Sequence, residues 1–425
     1  MVRRILSIII TLAVVIGTLP VNTNAAETGQ EMTPTRTETL ELSISQGEEN
    51  QEEGWKWTAD NNGGTLELEN CYIKTDEVKA LRFVFPDNNS KTINIILKGN
   101  NIIETTSTDY KAMIGSTDKA GSSITYNTLG DYVIKGEGSL DIRTSEPITK
   151  PESPYAFGGK SIRIESGNIK SNIGFCFVRK EVNIQGGSMY IDIPSGIGAL
   201  DGVYGEPINI SGGDIYINAP QCAIRSDDGD INITGGNVEC GSKESTSGIF
   251  SSCNINITGN GETIPNVKVS NKPGTAFSAL HSNNISVSGS AVIADSIRNF
   301  DSIEESIEKG IVFNGSDGKV YGETELTSCI TLPVGSTLSV PEDSVLHIKN
   351  GGSLIIPDGA LLVNNGIPVS AGNGEEICIT GGYIKKEGVF CTNHNKKYSI
   401  VTIKDGDNET PNYYSEGSII LLEPG

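Results

Sequence analysis

Residues 208–236 read INISGGDIYINAPQCAIRSDDGDINITGG. Ile208 and Ile210 flank Asn209, so both isoleucines fall on one face of a short strand. Gly212 and Gly213 supply a bend, because glycine tolerates positive φ. Ile215-Tyr216-Ile217 alternates again, and Ala219-Pro220 breaks that strand. Cys222-Ala223-Ile224 opens a third piece, and Asp227-Asp228-Gly229-Asp230 turns the chain back to Ile231, where the pattern restarts. No piece is long enough to be stable alone. Such strands persist only if equivalent strands of neighbouring units pair with them and share one apolar core.

Equivalent units are present. IRIESGNI starts at 162, VNIQGGSMYI at 182, INITGGNV at 231, INITGNG at 255, ISVSGSAVI at 285 and ICITGGYI at 377. The intervals from 162 are 20, 26, 23, 24 and then 30 residues. That is the period of a supersecondary unit, too short for a domain. A second signal runs through 330–364. Ile330, Leu338, Leu346, Leu354 and Leu362 recur every eight residues, each but the last followed two positions on by Leu332, Val340, Ile348 or Ile356. Pro333, Pro341 and Pro357 mark matching turns. Three steps of eight make one unit of the first kind. Together the two periods predict an all-β chain, a single-stranded right-handed parallel β-helix with three-sided coils of about 24 residues. A propeller or a sandwich would use longer strands and two-residue hairpin turns.

The rest of the chain is read around that core. Arg3 and Arg4, the apolar run Ile5–Leu19 and the small residues Asn24, Ala25 and Ala26 have the layout of a secretory signal over residues 1–26. The run is shorter than the ~20 residues needed to span hydrocarbon, so no membrane span is expected after cleavage. Residues 27–53 read as a flexible acidic lead-in, and 54–396 as the β-helix with its N-terminal cap coils. Residues 397–425 read as a capping hairpin or the start of a C-terminal β-repeat module. Asp301–Lys309 (DSIEESIEK) is the best short helix. Trp55 and Trp57 are expected to place one indole in the core near the cap. The eight cysteines show no C-x-x-C pair and read mostly as small buried apolar residues.

The formal charge of −21 argues against a nucleic-acid partner, which needs basic patches. It suits the solubility of a large surface. The secretion pattern places the protein outside the cell or on its surface.

The INITGG units, with Ala223-Ile224-Arg225-Ser226-Asp227-Asp228-Gly229-Asp230 between two of them, resemble a known family. It is that of the pectin-lyase-like right-handed parallel β-helix proteins, the carbohydrate-binding domain-containing surface proteins of anaerobic bacteria. Gly54-Trp55-Lys56-Trp57 followed by Thr65-Leu66-Glu67-Leu68 is similar to the start of that domain. The resemblance covers residues 54–396. It implies surface display, binding to plant or host polysaccharide, and bound calcium.

Candidate functional residues lie where the coils differ. Asp227, Asp228 and Asp230, around Gly229, suit a hard cation such as calcium; an ordinary Asp/Gly turn has the same composition. Tyr190 and Tyr216 hold equivalent outward positions after the glycine bend, with Lys170 and Glu239 on the flanking coils. Stacked coils would set the two rings about 4.8 Å apart, a flat aromatic surface for a sugar ring or an aromatic pair that steadies the sheet. Asn183, Asn209, Asn232 and Asn256 form a second column, read as a structural amide ladder.

The β-helix scaffold also hosts polysaccharide lyases and glycoside hydrolases, and fold alone does not choose among functions. Of the motifs that the polygalacturonase type carries, only Asp227-Asp228 has a counterpart; no G-H-G or R-I-K is present. Lyase chemistry would need a base beside calcium, and Arg225 is the basic residue near the acidic turn. His281, His347 and His394 fall in unrelated contexts. The leading expectation is a carbohydrate-binding protein. An enzyme on the same fold, and an adhesin or stalk without a sugar ligand, are the alternatives.

Overall fold

A three-residue strand such as Ile208–Ile210 leaves backbone donors and acceptors open along both edges while its isoleucine side excludes water. Parallel pairing between strands one repeat apart closes those edges. Asn209 lies between Asn183 and Asn232, and Ile210 between Ile184 and Ile233. The computed structural model describes residues 32–414 except 45–48, 78, 86–88, 108–111, 119–129, 146–154, 195–200, 260–264, 299–306, 327–328, 349–351, 358, 365–369, 372–375, 380–382, 387–398 and 406–407. The chain divides at Thr33, and the strands belong to the unit that begins at Pro34. The export segment 1–26 lies outside the described residues. Among the described residues there is no helix, so none long and apolar enough to cross a membrane.

The strands fall into three parallel ladders. An asparagine face climbs through Lys91–Lys98, Gly130–Gly136, Ser161–Ile164, Val182–Ile184, Ile208–Ile210 and Ile231–Ile233. A tyrosine face climbs through Asn100–Thr105, Ser139–Thr144, Asn168–Ser171, Ser188–Asp192, Asp214–Asn218 and Asn237–Cys240. An arginine face climbs through Leu81–Phe85, Ala112–Asp118, Tyr155–Gly159, Gly174–Val178, Val203–Tyr204 and Cys222–Ser226. The long strand Leu280–Ala294 joins all three ladders in succession. This is the all-β, parallel, β-helix-like order that the repeats call for.

Inside, one apolar cluster runs from Leu40 to Val312. Its early coils hold a file of rings, Trp57 on Phe83 at 5.6 Å, then Tyr132, Phe157 and Phe175. The glycine pair of each unit has a steric cause. Gly213 has φ +98°, and a Cβ on Gly212 would come within 2.5 Å of the Gln185 carbonyl oxygen one coil away. Outside, the asparagine ladder forms as read: Asn209 donates to Asn183, Asn232 to Asn209 and Asn256 to Asn232, at 3.1, 2.9 and 2.9 Å.

Several expectations are corrected. Leu40–Ser43 is not a lead-in outside the fold; it pairs parallel with Leu81–Phe85 and buries Leu40 and Leu42. Glu49–Glu52 pairs antiparallel with Trp55–Asp60, which pairs antiparallel with Gly63–Glu69. Both Trp55 and Trp57 are buried, because residues two apart share a strand face. Of the proposed helix 301–309, residues 301–306 lie outside the described residues and Ile307–Lys309 begins the strand Ile307–Asn314. Its pairing with Leu280–Ala294 outweighs local helical propensity.

That strand turns back antiparallel onto Asp317–Tyr321, and three fresh parallel ladders begin beyond it around a second core, Ala291 to Leu362. There Ile330 pairs with Leu354 and Leu338 with Leu362, three steps of the eight-residue period. Ser399–Asp405 and Asn408–Tyr414 form an antiparallel hairpin. Among the described cysteines Cys71, Cys176, Cys222 and Cys240 are buried, Cys329 is exposed, and none is disulfide-bonded.

Truncating the fully buried Ile233 to alanine is expected to cost about 2–5 kcal/mol. Asn209→Ala, which removes three side-chain hydrogen bonds at the surface, to Asn183, Asn232 and Glu181, should cost about 1 kcal/mol. Urea unfolding of the two variants measures both; equal losses would mean that the outward ladder matters as much as the core.

Candidate functional site

Tyr190 and Tyr216 are brought together as expected. They face each other across Ser188–Asp192 and Asp214–Asn218, with Lys170 and Glu239 on the coils to either side. Their ring centroids are 4.8 Å apart and the planes 12° from parallel. This geometry restricts what the pair can do. Each ring covers one face of the other, so outward they present edges and hydroxyls instead of an open aromatic plate. Burial and the charge of Asp192 push the Tyr216 hydroxyl up to about 12, and Tyr190 upward as well. Both phenols therefore stay protonated, as hydrogen-bond donors, at neutral pH.

Two residues further along the same strands the surface becomes concave. Asp192 and Asn218 sit on the same side as the tyrosines, and the Asn218 amide donates to Asp192 Oδ1 at 2.8 Å. They open a cleft of about 240 Å³, lined also by Ile193, Pro194, Pro220 and Glu244. The cleft lies at the corner between the tyrosine and arginine faces, where Ala219-Pro220 ends one strand. Ser245 Oγ donates to the Ala219 carbonyl at 2.7 Å, and Thr246 N–H to that of Pro220 at 3.0 Å. Successive corners are thereby fastened to one another. Carboxylates and an amide thus stand beside apolar proline rings.

The acidic turn is held largely by donors of this chain. Arg225 Nε and Nη2 grip Asp227 Oδ1 and Oδ2 at 2.9 and 3.1 Å. Asp230 Oδ1 accepts the Asn254 backbone N–H and side-chain amide at 3.1 and 2.7 Å, and Asp228 is exposed. Two of the three carboxylates are thus occupied by donors of this chain and do not converge. Among the described residues no group of three metal-ligating side chains is found. Burial alone would lower the Arg225 pKa, but the hydrogen bond to Asp227 and the charge of Asp201 outweigh it and raise the value. The guanidinium is thus engaged with both of these carboxylates.

The sequence reading missed a column on the arginine face. Phe177, Tyr204, Arg225, Phe250, His281 and Arg298 occupy successive outward positions. Phe177 and Tyr204 stack at 4.4 Å, and Arg225 lies 5.8 Å over the Phe250 ring. A signal was available: Cys176-Phe177, Val203-Tyr204, Ile224-Arg225, Ile249-Phe250 and Leu280-His281 each place a ring or a cation just after an inward apolar residue. Beneath Arg225 the buried Asp201 carboxylate accepts the Cys222 N–H at 3.2 Å and lies 3.6 Å from the guanidinium.

Comparison with known protein families, curated proteins and solved structures found no match. The case for function therefore rests on the residues.

Two outcomes follow from these geometries. Because Arg225 and Asn254 hold the acidic turn, calcium should leave the melting temperature unchanged relative to EDTA; a rise that Asp228→Ala abolishes would restore the cation site. Burial raises Asp201 to about 7 against the pull of Arg225. The folded chain then holds a proton that the unfolded chain releases near the usual 3.8. The group's stabilising contribution is full below that value and is lost as pH rises through about 7. Asp201→Asn keeps an acceptor for Cys222, so its melting temperature should gain on that of the unaltered protein between pH 5 and pH 8. Parallel curves would exclude the buried proton.

Proposed function

We infer that this chain is a secreted or surface-displayed carbohydrate-binding protein that holds polysaccharide at the corner beside Tyr190 and Tyr216. Its scaffold would be a right-handed, three-sided parallel β-helix of the pectin-lyase-like kind, the three ladders closing around the apolar interior. The cleft is the observation that carries the reading. Asp192, Asn218 and Glu244 offer acceptors and an amide donor to ring hydroxyls, while Pro194 and Pro220 offer apolar surface to the C–H face of the same ring. A small cavity with a few placed polar groups on an apolar wall is the usual form of a small-molecule site. The phenol hydroxyls of Tyr190 and Tyr216 extend the donor set along the same strands. The export-type sequence at 1–26 and the resemblance of the INITGG units agree with a role at the cell surface. Calcium is not needed for this mode of binding.

Catalysis is the less favoured alternative. Glycoside hydrolysis requires two carboxyl groups flanking the bond, one of them held protonated. Of the two described acids that burial raises, Asp201 lies buried beneath Arg225 and Asp141 is paired with Arg143 at 3.0 Å, so neither is free to face a substrate.

A panel of soluble and insoluble polysaccharides, scored for retention and for release of reducing or unsaturated ends, tests the proposal. Retention without turnover is expected. Asp192→Ala and Asn218→Ala should each weaken binding by about tenfold, roughly 1.4 kcal/mol, while the melting temperature falls only by the small amount that their mutual surface hydrogen bond contributes. Turnover would make the protein an enzyme, and neither retention nor turnover would leave an adhesin or stalk.

A further inference from the structure

The cleft is built by successive coils, Asp192 and Pro194 on one, Asn218 and Pro220 on the next, and Glu244 on the third. The following coil contributes the loop 271–279, which is fastened to the Glu244 corner. Lys272 N–H donates to the Ser245 carbonyl at 2.7 Å, the Thr275 hydroxyl reaches the Thr246 carbonyl at 3.2 Å, and Lys272 lies 3.9 Å from Glu244.

The loop is held from within by the buried Asn271. Its amide donates to the carbonyls of Lys272 and Phe277, at 3.3 and 3.0 Å, and its oxygen accepts the Ser296 hydroxyl at 3.2 Å. Arg298 donates to the Ala276 carbonyl at 3.4 Å, and Ser278 N–H to His281 Nδ1 at 3.3 Å. What this scaffolding displays is Phe277, 40% exposed and the one exposed large aromatic among the described residues. Its ring stands edge-on to Phe250 at 5.5 Å and tilted on His281 at 5.1 Å. A single exposed apolar side chain is ordinary on a protein surface. A ring backed by two others, on a loop pinned to the wall of a cleft, is a fixed platform.

Resting on the carbohydrate reading above, we propose that Phe277 is a stacking subsite for a saccharide chain that leaves the cleft along the corner. The protein would then recognise a stretch of polysaccharide running parallel to the stack of coils, rather than a single sugar or a chain end lying across it. Four coils at about 4.8 Å spacing span roughly 15 Å, longer than one sugar ring. The tyrosine pair offers edges and hydroxyls, so beside the prolines of the cleft Phe277 supplies the one exposed aromatic ring among the described residues.

Linear oligosaccharides of one to six residues, prepared from a polysaccharide that the panel retains, are titrated calorimetrically into the unaltered protein, Phe277→Ala, Phe277→Trp and Asp192→Ala. Phe277→Ala should bind the one- and two-residue saccharides as the unaltered protein does and the longest about tenfold more weakly, with Phe277→Trp restoring the long-chain affinity. Asp192→Ala should weaken all lengths. A Phe277→Ala effect that is absent or independent of length overturns the subsite while leaving the cleft intact. So does an effect on self-association, read by sedimentation, without one on saccharide. If no saccharide binds the unaltered protein, the carbohydrate reading falls and the subsite with it.

Discussion

Parallel pairing of each short strand with its equivalent one coil away is the interaction on which everything else depends. Strands of three to five residues, such as Val182–Ile184 and Asp214–Asn218, cannot hold themselves together. Their backbone groups are satisfied only by the coil before and the coil after, and their isoleucines are buried only against the same neighbours. Each fully buried aliphatic side chain contributes roughly 1.5–3 kcal/mol, opposed by about 1–2 kcal/mol per residue of backbone ordering. A coil on its own therefore gains little, and stability belongs to the stack. The inward positions are fixed by this requirement, and the outward ones are left to vary.

In-register stacking also constrains what can stand outward. Side chains at equivalent positions meet about 4.8 Å apart, so a column of like charges would repel. The columns resolve this with amides that bond to one another, with rings that stack, or with opposite charges. Asn183 to Asn256 is the first solution, Tyr190 with Tyr216 the second, and Lys268 with Glu239 at 2.8 Å the third. Glu104 is an extreme instance. Burial alone would raise its pKa, but Lys74, Tyr72 and Arg143 converge on its carboxylate and hold it down to about 2. Asp227 is compensated differently, by Arg225 from within its own coil.

The parts of this architecture that repeat were legible in the sequence, and the parts that depart from the repeat were not. Period two within a strand and a recurring unit along the chain suffice to name neighbours, so the asparagine ladder, the tyrosine pair and the pairing of Ile330 with Leu354 could be read from residue numbers alone. The antiparallel turn between Ile307–Asn314 and Asp317–Tyr321 ends one set of ladders and starts another, and no local pattern announces it. Leu40 and Leu42 looked like part of a polar tail because only their partners in Leu81–Phe85 show why they are buried. The acidic turn shows the converse. Its three nearby carboxylates are plain in the sequence, but that Arg225 holds Asp227 and the Asn254 of the next coil holds Asp230 is not. The cleft was illegible because, although Pro194 and Pro220 each follow the paired Asp192 and Asn218 by two residues, its wall at Glu244 comes from a longer corner that does not keep their register.

That contrast bears on where binding can occur in such a scaffold. On a flat face, the regularity that stabilises the sheet also covers the side chains, and rings stacked on rings turn their faces toward each other rather than toward a ligand. Corners escape this because their loops can lengthen without disturbing the ladders beneath. A longer loop can wall a cavity, as at Glu244, or lift a ring clear of its column, as Asn271 does for Phe277. The tyrosine face supplies donors along a straight edge, and the corner beside it supplies concavity and apolar surface. A polysaccharide, with hydroxyls around its rim and apolar ring faces, needs both. The boundary between a regular face and an irregular corner is where this chain provides them side by side.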